Sequence, residues 1–222
     1  VGSKNKLKRF RENDQFSNVI QPSRETVLNG DFDLKGKWQK NFFKNDKPIV
    51  LELGCGKGEY TVHLAQKNTN FNHVGIDIKG ARFWRGAKTA LETKMDNVAF
   101  LRTQIELIDR CFDTDEVDEI WITFPDPQIK YKRSKHRLTH PEFLEAYKKI
   151  LKPQGTLHLK TDSEFLFGYT LGIVSGLGTI KYAHHDIYNN SDAPKTATAI
   201  QTFYEKQFLA KKKAITYMEF TL

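Results

Sequence analysis

The stretch Ile49-Val50-Leu51-Glu52-Leu53-Gly54-Cys55-Gly56-Lys57-Gly58 decides the fold. A short apolar, β-rich run meets a turn with three glycines in five residues, and Tyr60, Val62, Leu64 and Ala65 then continue as a helix. Strand, glycine turn and helix in that order make the first unit of a parallel sheet. The alternation carries on downstream. His73–Asp77 reads as a second strand ended by an acid, and Gly80–Lys94 as a helix with Phe83, Trp84, Ala87 and Leu91 on one face. Val98–Leu101 and Val117–Phe124 are strands three and four. Thr139 with Glu142 resembles a capping box opening a helix striped by Phe143, Leu144, Tyr147, Ile150 and Leu151. After the turn Pro153-Gln154-Gly155, Thr156–Lys160 is strand five, and Ser163–Leu171 is helical. Thr179–His184 and Ala214–Phe220 are late strands, with a helix over Ala197–Ala210 between them. The pattern predicts an α/β fold with a mostly parallel sheet, helices on both faces and an antiparallel end. Residues 1–30 are polar, basic and without period. They are expected to be a basic N-terminal arm that orders on RNA, preceding a single domain over 31–222.

Composition narrows the function. The 222 residues are 39% hydrophobic and 28% charged, enough for one sizeable core and too apolar for a disordered chain. No apolar run is long enough to span a bilayer, and no secretory pattern is read at the start. The only cysteines, Cys55 and Cys111, form no CxxC, which excludes a disulfide scaffold and a zinc knuckle. His184-His185 has no third ligand spaced to join it, so no metal is expected, and a cytoplasmic setting follows from the cysteine usage. Lys and Arg number 35 against 27 Asp and Glu, a net charge of +8. Basic residues cluster at Lys4–Arg11, Lys130–Arg137 and Lys211–Lys213, whereas Glu106–Glu119 carries seven acids and one Arg. Segregation of this kind fits a polyanionic partner better than an evenly solvated surface.

The glycine turn limits the ligand. A dinucleotide fingerprint GxGxxG starting at Gly54 fails, because its third glycine position is Glu59. A carboxylate at Glu52 suits the ammonium of an amino-acid ligand rather than a pyrophosphate, and Asp77 can accept both hydroxyls of a ribose. Together they match S-adenosyl-L-methionine; the bland alternative is a tight strand-to-helix turn with no ligand. Strand four runs into Phe124-Pro125-Asp126-Pro127, where two prolines fix the backbone around one carboxylate. The basic octet follows at once, placing phosphate-binding charge beside a candidate methylation loop.

Glu52–Gly58, Phe124-Pro125-Asp126-Pro127 with its basic block and Leu138-Thr139, Lys160-Thr161-Asp162, and Thr202-Phe203-Tyr204-Glu205 together resemble the bacterial tRNA (guanine-N7-)-methyltransferase family, from about Lys4 to the C-terminus. The resemblance implies a Rossmann-like class I methyltransferase fold with a seven-stranded sheet and an antiparallel final strand. It implies tRNA as partner, with guanine 46 of the variable loop methylated at N7 and S-adenosyl-L-homocysteine as product. By position, Glu52, Gly54, Gly56, Asp77, Gln104 and Asp126 would line the cofactor pocket. Lys130, Asp162, Thr202 and Glu205 would face the guanine, and Lys132, Arg133, Lys135, His136 and Arg137 would contact RNA. Gln104 stands where the family usually has an acid, and is expected to accept the adenine amine through its carbonyl oxygen.

Guanine N7 carries a lone pair and no proton, so its methylation needs positioning rather than a general base. Asp126 and Asp162 are the catalytic candidates, stabilising positive charge as it passes to the purine. One of them, or Glu205, could accept from guanine N1–H and N2–H. Asp162-Ser163 could equally be a helix cap, and Thr202 and Glu205 mere surface neighbours. The rival functions are methyl transfer to another RNA, a protein or a small molecule, and a non-catalytic RNA-binding module. Neither a membrane nor an obligate protein partner is expected, and the chain would act as a monomer or homodimer.

Overall fold

The structure, a computed structural model, describes residues 2–222, with side chains from Asn5 onward. In chain order the strands are β1 Val19–Ile20, β2 Ile49–Leu53, β3 Asn72–Ile76, β4 Val98–Leu101, β5 Val117–Thr123, β6 Leu151–Thr161, β7 Thr179–His184 and β8 Thr216–Thr221. The helices are α1 Gly2–Asn13, α2 Arg24–Asn29, α3 Glu59–Lys67, α4 Gly80–Glu92, α5 Ile108–Cys111, α6 Pro141–Ile150, α7 Glu164–Leu177, α8 Lys195–Thr198 and α9 Phe203–Ala210. They surround one eight-stranded sheet of order β1-β4-β3-β2-β5-β6-β8-β7. β8 runs antiparallel to both neighbours, β6 and β7, and the other pairs are parallel.

Every residue of β2, β3 and β4 is buried, as a strand covered on both faces must be. The chain steps outward from β2 through β3 to β4, then returns to place β5 on the other side of β2. That reversal opens a crevice at the carboxyl ends of β2 and β5, where ligands of such sheets bind. At the opposite end of the sheet, part of the acidic segment is consumed in structure. Glu116 accepts the backbone N–H groups of Gly36, Trp38 and Asp113, and Asp118 accepts that of Ile49. Trp38 is fully buried, stacked on Phe112 at 5.1 Å, and donates its indole N–H to the Cys111 carbonyl.

The N-terminal thirty residues depart from the expected arm. α1 lies along α4: Asn13 donates its side-chain amide to the Gly80 carbonyl, and Arg9 sits 5.0 Å over Trp84. β1 adds a further parallel strand beside β4. The helix is held by its contacts rather than by its own periodicity, so its pattern is faint. Strand five also starts earlier than expected. β6 begins at Leu151, and Pro153-Gln154-Gly155 forms an irregularity inside the strand, with Gln154 at φ 69°. The expected capping box at Thr139 does not form. His140 occupies the cap position of α6, while the Thr139 hydroxyl is buried against that of Thr170 at 2.7 Å. The helix expected over Ala197–Ala210 is split into α8 and α9.

Gly58, ahead of α3, has φ 74°, and a Cβ there would stand 2.5 Å from Phe100 and 3.2 Å from the Gly86 Cα. Glycine is therefore required for both conformation and space, which brings the glycine turn close against α4. Gly58→Ala should lower the free energy of unfolding by about 2–4 kcal/mol, combining left-handed strain with overpacking; chemical denaturation will measure it.

Candidate active site

The crevice holds two adjoining cavities that share Gly54. The first, about 160 Å³, is lined by Glu52, Gly56, Arg82, Thr123, Thr202 and Tyr204 among others. The second, about 260 Å³, includes Asp77, Ile78, Gln104, His136 and Leu138.

The glycine turn is fastened to β3, because the Ile76 carbonyl accepts the N–H groups of both Gly54 and Cys55. Gly54 and Gly56 take φ values of 72° and 57°, and Cβ atoms there would meet nothing nearer than 3.8 Å and 3.9 Å respectively. Their need for glycine is conformational, and the bare backbone leaves the cavities accessible. Asp77 is anchored through one oxygen by the Gly56 N–H at 3.1 Å and through the other by the Lys79 N–H at 2.8 Å. Each oxygen keeps acceptor capacity for a hydroxyl.

Glu52 is 2% exposed. One oxygen accepts from the backbone N–H of Thr61 at 2.8 Å and from the Thr61 hydroxyl; the other accepts from the Thr123 hydroxyl at 2.5 Å. Burial pushes its carboxyl up to about 7, against the opposing pull of the threonine hydrogen bonds. These threonines belong to no motif that sequence alone reveals. Their signal is positional: Thr61 lies in the first turn of the helix after the glycines, and Thr123 in the strand beside Glu52.

The loop after β5 is strained at both ends. Phe124 and Gln128 have φ values of 47° and 46°, unusual for side chains of this size, and they bracket Pro125-Asp126-Pro127. Asp126 is exposed and accepts the Gln128 N–H at 3.0 Å. Arg137 overturns its expected role as an RNA contact. It is 5% exposed, lies 4.8 Å over Phe165 and 4.4 Å over Tyr169, and donates to the carbonyls of Gln128 and Ile129. Its guanidinium fastens the loop instead of facing solvent. Lys130, Lys132, Arg133, Lys135 and His136 are exposed on and beside the 3₁₀ turn Tyr131–His136. Arg133 donates to the Gln128 side chain, and His136 reaches the wall of the second cavity.

Glu205 is likewise not a surface neighbour of Thr202. The two form a capping box at α9, and Glu205 is fully buried. Its carboxylate takes the Lys160 ammonium at 2.6 Å and the Tyr188 hydroxyl at 2.6 Å. Burial pulls Lys160 below its ordinary pKa, and Glu205 opposes that pull. Glu205 is closed off from solvent, so a guanine could reach it only if the surrounding structure moved. Asp162 is half-buried and paired with Lys213 at 3.0 Å, while Ser163 caps α7. Gln104 accepts from Arg24 at 2.9 Å, so the oxygen expected to meet an adenine amine is already engaged. Glu52, Gly54, Gly56 and Thr202 thus share the first cavity, and Gly54, Asp77 and Gln104 the second. Asp126, Lys130, Asp162 and Glu205 line neither. Among the described residues, no group of three or more His, Cys, Asp or Glu is placed to hold a metal.

The strand order and the acid-flanked glycine turn define a class I methyltransferase. The 16S rRNA methyltransferase KamB shares this fold, with a TM-score of 0.62 at 13% identity over 81% of this chain and 90% of that one. A family model described as "Putative methyltransferase" matches residues 46–218. The tRNA (guanine-N(7)-)-methyltransferase of Christiangramia forsetii is 68% identical over the full length of both chains, and that of Bacteroides fragilis is 48% identical over 99% of this chain and 86% of its own. The chain belongs to the tRNA (guanine-N(7)-)-methyltransferases.

Glu52 gives a sign for pH dependence. Its carboxyl holds a proton more tightly folded than unfolded, so the free protein loses stability as pH rises from about 4.5 to about 7. Glu52→Gln should remove that component, up to ~3 kcal/mol between those limits. Denaturant titrations of both proteins at pH 4.5 and 7.5 will show the difference.

Proposed function

We propose that the protein transfers the methyl group of S-adenosyl-L-methionine to N7 of a guanine in tRNA, position 46 of the variable loop. The observation that carries this reading is the pair of anchored carboxylates, Glu52 and Asp77, at two adjoining cavities joined by bare glycine backbone. The residues present fit the cofactor. An ammonium at the first cavity lowers the carboxyl of Glu52 back toward its ordinary range, and Asp77 has free acceptor sites for ribose hydroxyls. Ile78, 49% exposed, offers an apolar surface to a purine in the second cavity. When bound, the cofactor supplies an electrophilic methyl on a cationic sulfur.

The chain's own contribution is geometric and electrostatic. N7 needs no proton removed, so no residue acts as a general base. Holding the purine in line is the main requirement, and the Arg137-clamped loop gives Asp126 a fixed backbone beside the cleft. Asp126 and Asp162 are the carboxylates that stabilise positive charge on the purine. Thr202, on the wall of the first cavity, orients the guanine, and Lys130 with the exposed members of the octet grips flanking phosphates. The two buried free thiols, Cys55 and Cys111, suit a reducing cytoplasm.

The test uses methyl-labelled S-adenosylmethionine with tRNA lacking the modification, and maps the product by aniline cleavage at 7-methylguanine. Cleavage at the variable loop is expected; label incorporated elsewhere overturns the position, and no label overturns the reaction. Asp162→Ala should lower kcat at least tenfold while leaving the Kd for S-adenosylhomocysteine within about twofold, since only purine charge is affected. Isothermal titration alongside the methylation assay separates the two, and equal losses would remove Asp162 from that role.

A further inference from the structure

The two cavities of the cleft are lined by none of the described residues of the N-terminal basic cluster Lys4–Arg11. That cluster is part of a second concavity. Between α1 and the start of α4 lies a groove of about 510 Å³, lined by Lys6, Arg9, Lys79, Arg82 and Arg102 together with Phe10 and Ile78. Five cations face it and no acid lines it. None of the five forms an ion pair among the described residues. Of the acids on the flanking segments, Glu12 pairs with Lys8, and Asp77 lies on the wall of the second cavity rather than of the groove.

Two of the guanidiniums are already placed. Arg9 lies 5.0 Å over Trp84, and Arg102 lies 5.0 Å over Phe10 while donating from Nε to the Ile78 carbonyl. Stacking on an aromatic plane restrains the group and leaves its outer N–H donors free for an anion. Holding uncompensated like charges together costs stability, and an anionic partner relieves that cost. The groove is also continuous with the cleft: Arg82 lines both it and the first cavity, and Ile78 borders both it and the second.

We propose that the α1–α4 groove is a second phosphate-binding site for the RNA substrate, gripping backbone phosphates across the cleft from Lys130–His136. The inference rests on the tRNA reading above and replaces the arm that sequence alone expects to order on RNA with a helix already in place, whose cations form one wall of a built groove. RNA reaching into the cleft between two basic walls is held on both sides of the target base. The groove fixes register and adds affinity without reading sequence.

The experiment is a salt series of tRNA binding by fluorescence anisotropy, with wild type, Lys6→Gln/Arg9→Gln, Lys6→Arg/Arg9→Lys and Lys132→Gln/Lys135→Gln. Removing one phosphate-binding cation should flatten the slope of log K against log salt by about 0.7–0.9. The neutral groove variant should therefore have a slope shallower by about 1.4–1.8 and bind tRNA roughly tenfold more weakly near 0.1 M salt. S-adenosylhomocysteine affinity should be unchanged, and the charge-conserving variant should keep the wild-type slope. A neutral variant with unchanged slope, or a charge-conserving variant weakened as much as the neutral one, overturns the groove assignment. A shallower slope confined to the octet variant overturns the groove alone and leaves the tRNA reading standing. Wild type without measurable tRNA affinity overturns the reading on which the groove depends.

Discussion

The carboxylate of Glu52 is the point to which the site is tied. It stands near the end of β2, accepts from the first turn of α3 through Thr61, and accepts from β5 through Thr123. Three separate elements thus meet on two oxygen atoms, and the glycine turn is stretched over that junction. A buried acid without these donors would cost several kcal/mol. With them it is satisfied in the free protein, yet remains close enough to its own proton to respond when a cation arrives. The same group therefore serves to hold the turn and to define what the turn accepts.

The loop beyond β5 follows a different rule. Its two ends occupy left-handed backbone in bulky residues, a conformation held only where surroundings over-determine it. Arg137 supplies much of that determination through two carbonyls and two aromatic faces. One arginine from the basic octet is thus spent internally so that its neighbours can be presented outward on a fixed turn. Charge counted along the chain does not distinguish these roles, because burial depends on Phe165 and Tyr169, about thirty residues downstream.

Much of the architecture was legible because its signals are local. The run Ile49–Leu53, the glycine turn and the acid ending β3 announce themselves within a few residues, and the sheet end at β7 and β8 follows from two late β-rich segments. What was not legible depends on distant partners. α1 has weak periodicity and is secured through Trp84 and Gly80. Thr139 has the sequence of a cap but is buried against Thr170, so His140 takes its place. Glu205 has the spacing of a surface pair but is drawn inside by Lys160. In the site, the acids and glycines were readable by their chemistry, while their supporting donors, Thr61, Thr123 and Tyr188, carry no signature beyond position. Gln104 shows the same limit, since its oxygen is claimed by Arg24, eighty residues earlier.

The interior pair of Lys160 and Glu205 bears on how this chain can change over generations. Either member alone in that dry interior would be a stranded ion, strongly unfavourable, whereas a matched apolar replacement of both could be tolerated. A single substitution at either position is therefore penalised, which favours coordinated exchange at the junction of β6 and α9.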